Sequence, residues 1–124
     1  MRRAAAAALV LAFACGPALA AAPAALEPAF RNTIVSTYPD GRQARLWLRA
    51  DGTYKGQGRR GFYNGGKWSV KGQKVCLKQT TPKAYPFSYC TKIVSGGVGA
   101  KWSGKAVTGE KISIQLVAGR AGER

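Results

Sequence analysis

The sequence contains no histidine, and it has only five acidic side chains against 20 lysines and arginines. Without imidazole it lacks the side chain that titrates nearest neutral pH and most often serves as general base or metal ligand. The acids themselves read as structural. Asp40 and Asp51 each precede a turn glycine, Glu110 follows Gly109, Glu27 lies near the N-terminal end and Glu123 in the C-terminal tail. A paired-carboxylate hydrolase would have to draw on those turn positions. No G-x-S-x-G elbow and no metal-ligand spacing is present. The glycine-rich GQGRRGFYNGG shows no Walker pattern and precedes no helical stretch. These gaps point away from an enzyme, and neither a cofactor nor a metal is expected.

Long apolar runs are also missing, with one exception at the start. MRRAAAAALVLAFACGPALA places Arg2 and Arg3 before an apolar run from Ala4 to Ala14, then Gly16-Pro17 and the small-residue pattern Ala18-Leu19-Ala20. That order reads as a secretory signal over residues 1–20, cleaved after Ala20. The run is too short for a permanent membrane anchor, and nothing after it could span a bilayer. Lipidation at Cys15 is the competing reading, and Phe13 fits it poorly. The expected location is the periplasm or outside the cell. Cleavage would leave 104 residues with 18 Lys or Arg and five acids, a net charge of +13.

Cysteine is scarce. With Cys15 removed, Cys76 and Cys90 form an even pair, and in an oxidising compartment they are expected to make a disulfide. Closing a loop of that length contributes on the order of 3 kcal/mol in the chain-entropy account. A redox or metal pair would need C-x-x-C spacing or histidine.

What the chain does have is short alternating segments separated by turn residues. TIVSTY (33–38) is β-branched and aromatic, and Pro39-Asp40-Gly41 turns the chain. In QARLWLR (43–49), Ala44, Leu46 and Leu48 share one face and Arg45, Trp47 and Arg49 the other. Asp51-Gly52 signals a hairpin into a strand at 53–55. The glycine-rich stretch 56–66 reads as a mobile or irregular hairpin. Alternation resumes from Lys67, with Trp68 and Val70 on one side and Lys67, Ser69 and Lys71 on the other. Further strands follow at 75–78, 87–94, around Trp102, and at 111–117. No helical period is long enough to matter.

The expected architecture is all-β, a small antiparallel barrel or sandwich of about seven or eight strands with one disulfide. The folded domain would run from 30 to 118, between an N-terminal linker at 21–29 and a flexible tail at 119–124. Two KWS segments, at 67–69 and 101–103, suggest similar hairpins whose tryptophans fill the interior.

The cross-link fixes a register. If Cys76 faces Cys90 across a hairpin, Leu77 faces Tyr89, Lys78 faces Ser88 and Lys74 faces Lys92. Val75, Leu77, Tyr89, Thr91 and Ile93 then point inward, and the cysteines point outward among Lys74, Lys78 and Lys92. Like charges set directly opposite are unfavourable by a few tenths of a kcal/mol up to about 1. A bound anion would relieve that repulsion; splaying of the lysine stems into screened solvent would also reduce it.

Charge therefore sets the leading expectation for function. A domain at +13 draws polyanions, and basic residues interleaved with aromatics form binding platforms. Arg45, Trp47, Arg49, Lys74, Lys78 and Lys92 are the candidate anion-binding residues. The expected partner is an anionic envelope polymer or an acidic protein, with peripheral contact to an anionic membrane surface open. An exported protein does not meet intracellular nucleic acid, which is not the expected partner. The alternative is inhibition of an enzyme through the loop from Thr80 to Phe87, carrying Pro82, Lys83, Tyr85 and Pro86, whose prolines lower the entropy lost on docking.

TYPDGRQARLWLRADGTYKGQG, GKWSVKGQKVCLK, SYCTKI and ISIQLVAGR together resemble uncharacterised small secreted β-proteins of alphaproteobacteria with a G-x-Y, G-x-W-x-V-x-G, C-L core. More distantly the chain is similar to secreted metalloprotease inhibitors, which are small disulfide-bonded barrels. Residues 21–29 do not match the N-terminal segment through which those inhibitors act, so the likeness implies a fold and transfers no functional residue.

Overall fold

A computed structural model describes residues 23–83, 88–92 and 96–124. The expected signal, Tyr85, Pro86, Phe87 and Ile93 lie outside them. Eight antiparallel strands follow a short 3-10 helix at Ala24–Arg31. They are β1 (Thr33–Thr37), β2 (Gln43–Leu48), β3 (Thr53–Gln57), β4 (Tyr63–Lys71), β5 (Lys74–Thr81), β6 (Tyr89–Lys92), β7 (Lys101–Lys105) and β8 (Lys111–Val117). Each pairs with its neighbour in sequence up to β6, and β8 returns to pair with β1, giving the order β6-β5-β4-β3-β2-β1-β8-β7. The sheet is a nearly closed up-and-down barrel. Among the described residues no ladder joins β6 to β7; there the Tyr89 hydroxyl donates to the Lys105 carbonyl.

Alternation builds the interior as the sequence suggested. Ile34 lies between Leu46 and Leu116, and Ser36 between Ala44 and Ile114. Leu48, Tyr54, Ile112, Ile114 and Leu116 are buried. Both KWS tryptophans pack inward, Trp68 on Phe30 at 5.6 Å between ring centroids and Trp102 against Ile112 and Ile114. The disulfide holds Cys76 opposite Cys90, with Leu77 opposite Tyr89 and Lys74 opposite Lys92, the register deduced from the cross-link. A bulge between Gly65 and Gly66 brings β4 so close to β5 that a Cβ on Gly66 would lie 2.0 Å from the Lys78 carbonyl oxygen.

Three expectations are corrected. Residues 24–31 are no linker. With three residues per turn, positions i and i+3 of a 3-10 helix share a face, and that face puts Leu26 and Ala29 into the core at one end of the barrel. The stretch 56–66 is a regular hairpin, with β3 and β4 joined by a tight turn in which Gly61 takes φ +91°. Arg59 ties this turn to Glu110 at 3.0 Å and to Asp40 at 3.7 Å.

The third correction concerns the tail. Arg120 donates to the carbonyls of Phe30 (2.8 Å) and Leu48 (3.0 Å) and pairs with Glu123. Tyr63 donates its hydroxyl to the Gly122 carbonyl at 3.0 Å. These bonds pin 119–124 against the barrel wall, so the tail is part of the fold.

Candidate functional site

The Arg45, Trp47 and Arg49 face points out of the barrel as alternation predicts, but it is not an open platform. Trp47 has no solvent exposure. Its indole N–H donates to Thr33 Oγ1 at 2.9 Å, and the Thr33 hydroxyl donates to the Gly119 carbonyl at 2.7 Å. A methyl group built on Gly122 would sit 3.7 Å from the Trp47 ring, so the tail lies over the indole. Arg49 is paired with Glu123 at 3.6 Å. The expectation of an exposed tryptophan flanked by free arginines is therefore corrected: Trp47 anchors the C-terminal segment. Arg45 is half-buried on the same strand.

Lys74 and Lys78 on β5 and Lys92 on β6 lie elsewhere, two and three strands beyond β3 in the ladder, and all three are exposed. They belong to a larger set. Outward positions on β4 to β8 hold Lys67, Lys71, Lys74, Lys78, Lys92, Lys101, Lys105 and Lys111, every one exposed. The ladder places Lys67 opposite Lys78, Lys71 opposite Lys74, Lys74 opposite Lys92 and Lys105 opposite Lys111. One such pair was legible from the disulfide; the structure adds three. Lys78 and Ser88 are not a ladder pair, because β6 begins at Tyr89.

No carboxylate interrupts this wall. All five acids lie in the 3-10 helix, in turns or in the tail, and none on a strand. Among the described residues every ion pair uses an arginine, namely Arg49, Arg59 or Arg120, and none uses a lysine. Cys76 is buried and Cys90 exposed, and their disulfide sits in the middle of the β4–β6 part of the wall. Alternation alone could have flagged Lys67, Lys71, Lys101, Lys105 and Lys111. Their gathering into one surface needed the strand order.

Three carboxylates, Asp51, Glu110 and Glu123, are held below their ordinary values by local partners. Hydrogen bonds from the Thr53 hydroxyl and then its backbone N–H keep Asp51 below its ordinary value, as an Asx turn in the β2–β3 hairpin. Glu110 is held down first by the Arg59 hydrogen bond and then by Thr108. Glu123 is held down first by Arg120, against the opposing effect of burial. Burial raises the Tyr54 and Tyr89 phenols. Of the inhibitory-loop candidates, Pro82 and Lys83 are exposed beyond the end of β5.

Among the described residues, no helix is long and apolar enough to cross a membrane. No family model, curated protein or solved structure matches the chain.

Proposed function

We propose that the chain is an exported, non-catalytic binding protein that holds an anionic envelope polymer against the lysine wall of β4 to β8. One observation carries this reading. Four lysine pairs stand directly opposite one another on a wall with no acid, whereas among the described residues the ion pairs to carboxylates are made by Arg49, Arg59 and Arg120, off that wall. Like charges facing across a ladder oppose folding, and a polyanion laid along the wall would reverse the sign of that interaction. Lysine suits the task, since its ammonium is a mobile point charge that can track a polymer without fixed bidentate geometry. The disulfide supports placement in an oxidising compartment. Asp51, Glu110 and Glu123, held in their ionised form by hairpin and tail partners, support a role without proton transfer.

The test uses long-chain polyphosphate as probe. Reversing Lys74, Lys78 and Lys92 to glutamate should abolish retention on immobilised polyphosphate at moderate salt, while Arg45→Glu should leave most of it. Equal retention of the triple variant and the native protein would sink the reading. Capture of an acidic protein that survives high salt would instead favour inhibition through the 80–87 loop.

A further inference from the structure

The barrel interior is not filled. Between the 3-10 helix and the middle of the barrel lies a cavity of about 70 Å³, walled by Leu26, Ile34, Val75, Trp102, Ile114 and Leu116 among others. Towards the opposite end a wider hollow of about 350 Å³ opens between Tyr38, Tyr54, Asn64, Gln79 and Val107. Ser36, Leu46, Leu77 and Tyr89 line both, so the two spaces adjoin across those side chains. An eight-stranded barrel is of the size that either packs solid or holds one small ligand.

Two features indicate what would occupy it. The wall of the smaller cavity is mainly apolar, and the indole N–H of Trp102, one of its lining residues, is buried without an acceptor among the described residues. Buried donors are normally satisfied, so this wall offers a hydrogen bond to a ligand oxygen. The cavity also reaches Lys92, Gly97 and Ala100, beside the β6–β7 seam where, among the described residues, no ladder closes the sheet. Across that seam a Cβ on Gly104 would lie 2.9 Å from Ile114 Cδ1 and 3.8 Å from Thr91 Oγ1, so the missing side chain lets β7 approach Ile114 and β6 closely. Exposed Lys92 stands on one side of the seam and Lys101 and Lys105 on the other.

We infer that the lumen takes the aliphatic chain of a single-chain anionic amphiphile, with its charged head at the seam among Lys92, Lys101 and Lys105. The narrow space beside the helix is walled mainly by apolar side chains and suits a methylene chain, while Tyr38, Asn64 and Gln79 line the wider hollow beyond it. The lysines, without an ion-pair partner among the described residues, select a negative head, and the Trp102 N–H meets an oxygen at its base. This assignment rests on the lysine-wall reading for the head and adds a second, interior site for the chain.

Dodecyl phosphate below its micelle concentration is the probe, with inorganic phosphate as the chain-free control, followed by calorimetry and tryptophan emission. Dodecyl phosphate should bind one to one and at least tenfold more tightly than inorganic phosphate. Ser36→Phe, which places a ring at the junction of the two hollows, should weaken it at least tenfold and leave polyphosphate retention unchanged. Lys92→Glu with Lys105→Glu should weaken it as well. If Ser36→Phe does not fold, nuclear Overhauser contacts from chain methylenes to the Trp102 indole proton in the native protein decide the matter. Equal affinity for dodecyl phosphate and inorganic phosphate would overturn the lumen assignment while leaving the polyanion wall standing. Unchanged binding by folded Ser36→Phe, or contacts confined to surface lysines, would overturn it too. Loss of polyphosphate retention in the native protein, with chain binding intact, would instead overturn the wall.

Discussion

Replacing Arg120 by methionine keeps most of the apolar stem and removes every donor, which isolates the clamp that closes the C-terminal segment over Trp47. Two carbonyls lose a cationic partner, Phe30 at 2.8 Å and Leu48 at 3.0 Å, and Glu123 loses its main counter-ion. Hydrogen bonds to charged groups contribute about 1.5–3 kcal/mol each. The guanidinium keeps 21 % of its side-chain exposure, and water can replace part of what is lost. A net cost of about 2–4 kcal/mol follows, which in a domain of this size corresponds to roughly 10–20 °C in Tm. Release of the tail also uncovers Trp47, so its emission should shift to longer wavelength, read in a background with Trp68 and Trp102 replaced by phenylalanine. Arg120→Lys should recover only part of the loss, because an ammonium cannot serve both carbonyls and the carboxylate with the fork geometry of arginine. An Arg120→Met protein with unchanged Tm and unshifted Trp47 emission would refute the argument that the tail belongs to the fold.

Three further outcomes follow from the same structure. Replacing Cys76 and Cys90 together by alanine should cost about 3 kcal/mol by loop entropy and should raise amide exchange first in β6, a strand of four residues that pairs only with β5 among the described residues. Gly66→Ala forces a methyl group into the Lys78 carbonyl at the β4–β5 bulge, so it should destabilise by about 1–3 kcal/mol or more in a urea melt; a neutral result would place the two strands farther apart than described. Acid should loosen the tail before the barrel. Glu123 has a lowered pKa in the folded state, so its contribution is complete above its ordinary value of 4.5 and declines as pH falls through the folded value. Trp47 emission should therefore shift only once the pH has fallen below 4.5, and Glu123→Gln should remove that step.

The sequence made some levels of this structure legible and left others hidden, for identifiable reasons. A covalent cross-link between two alternating segments sets their register without further information, which is why the pairing of Lys74 with Lys92 and Leu77 with Tyr89 could be deduced. Strand polarity was equally accessible: Trp68 faces in, and Trp47 faces out of the barrel. Alternation states on which side a residue stands, however, and says nothing of what another segment lays over that side. Trp47 read as an open platform because the tail that covers it, AGRAGER, has little hydrophobicity and holds on by arginine hydrogen bonds. The 3-10 helix was missed for a related reason. Two apolar residues three apart, in a short segment with Pro28 inside it, carry no 3.6-residue period. The lysine wall was seen in part, since joining β4–β6 to β7–β8 depends on a barrel closure that local pattern does not encode.

The central claim is that the lysine wall exists to meet a polyanion, and the salt dependence of polyphosphate binding tests it most directly. Counter-ion release makes the logarithm of the binding constant fall linearly with the logarithm of salt concentration, and each lysine removed from the contact should reduce that slope by about one. Single glutamine substitutions at Lys67, Lys74, Lys92 and Lys105 should each lower the slope by that amount, whereas Lys55→Gln, on β3 outside the wall, should leave it unchanged. A slope near zero for the native protein, or equal reductions at Lys55 and at the wall positions, would contradict the account.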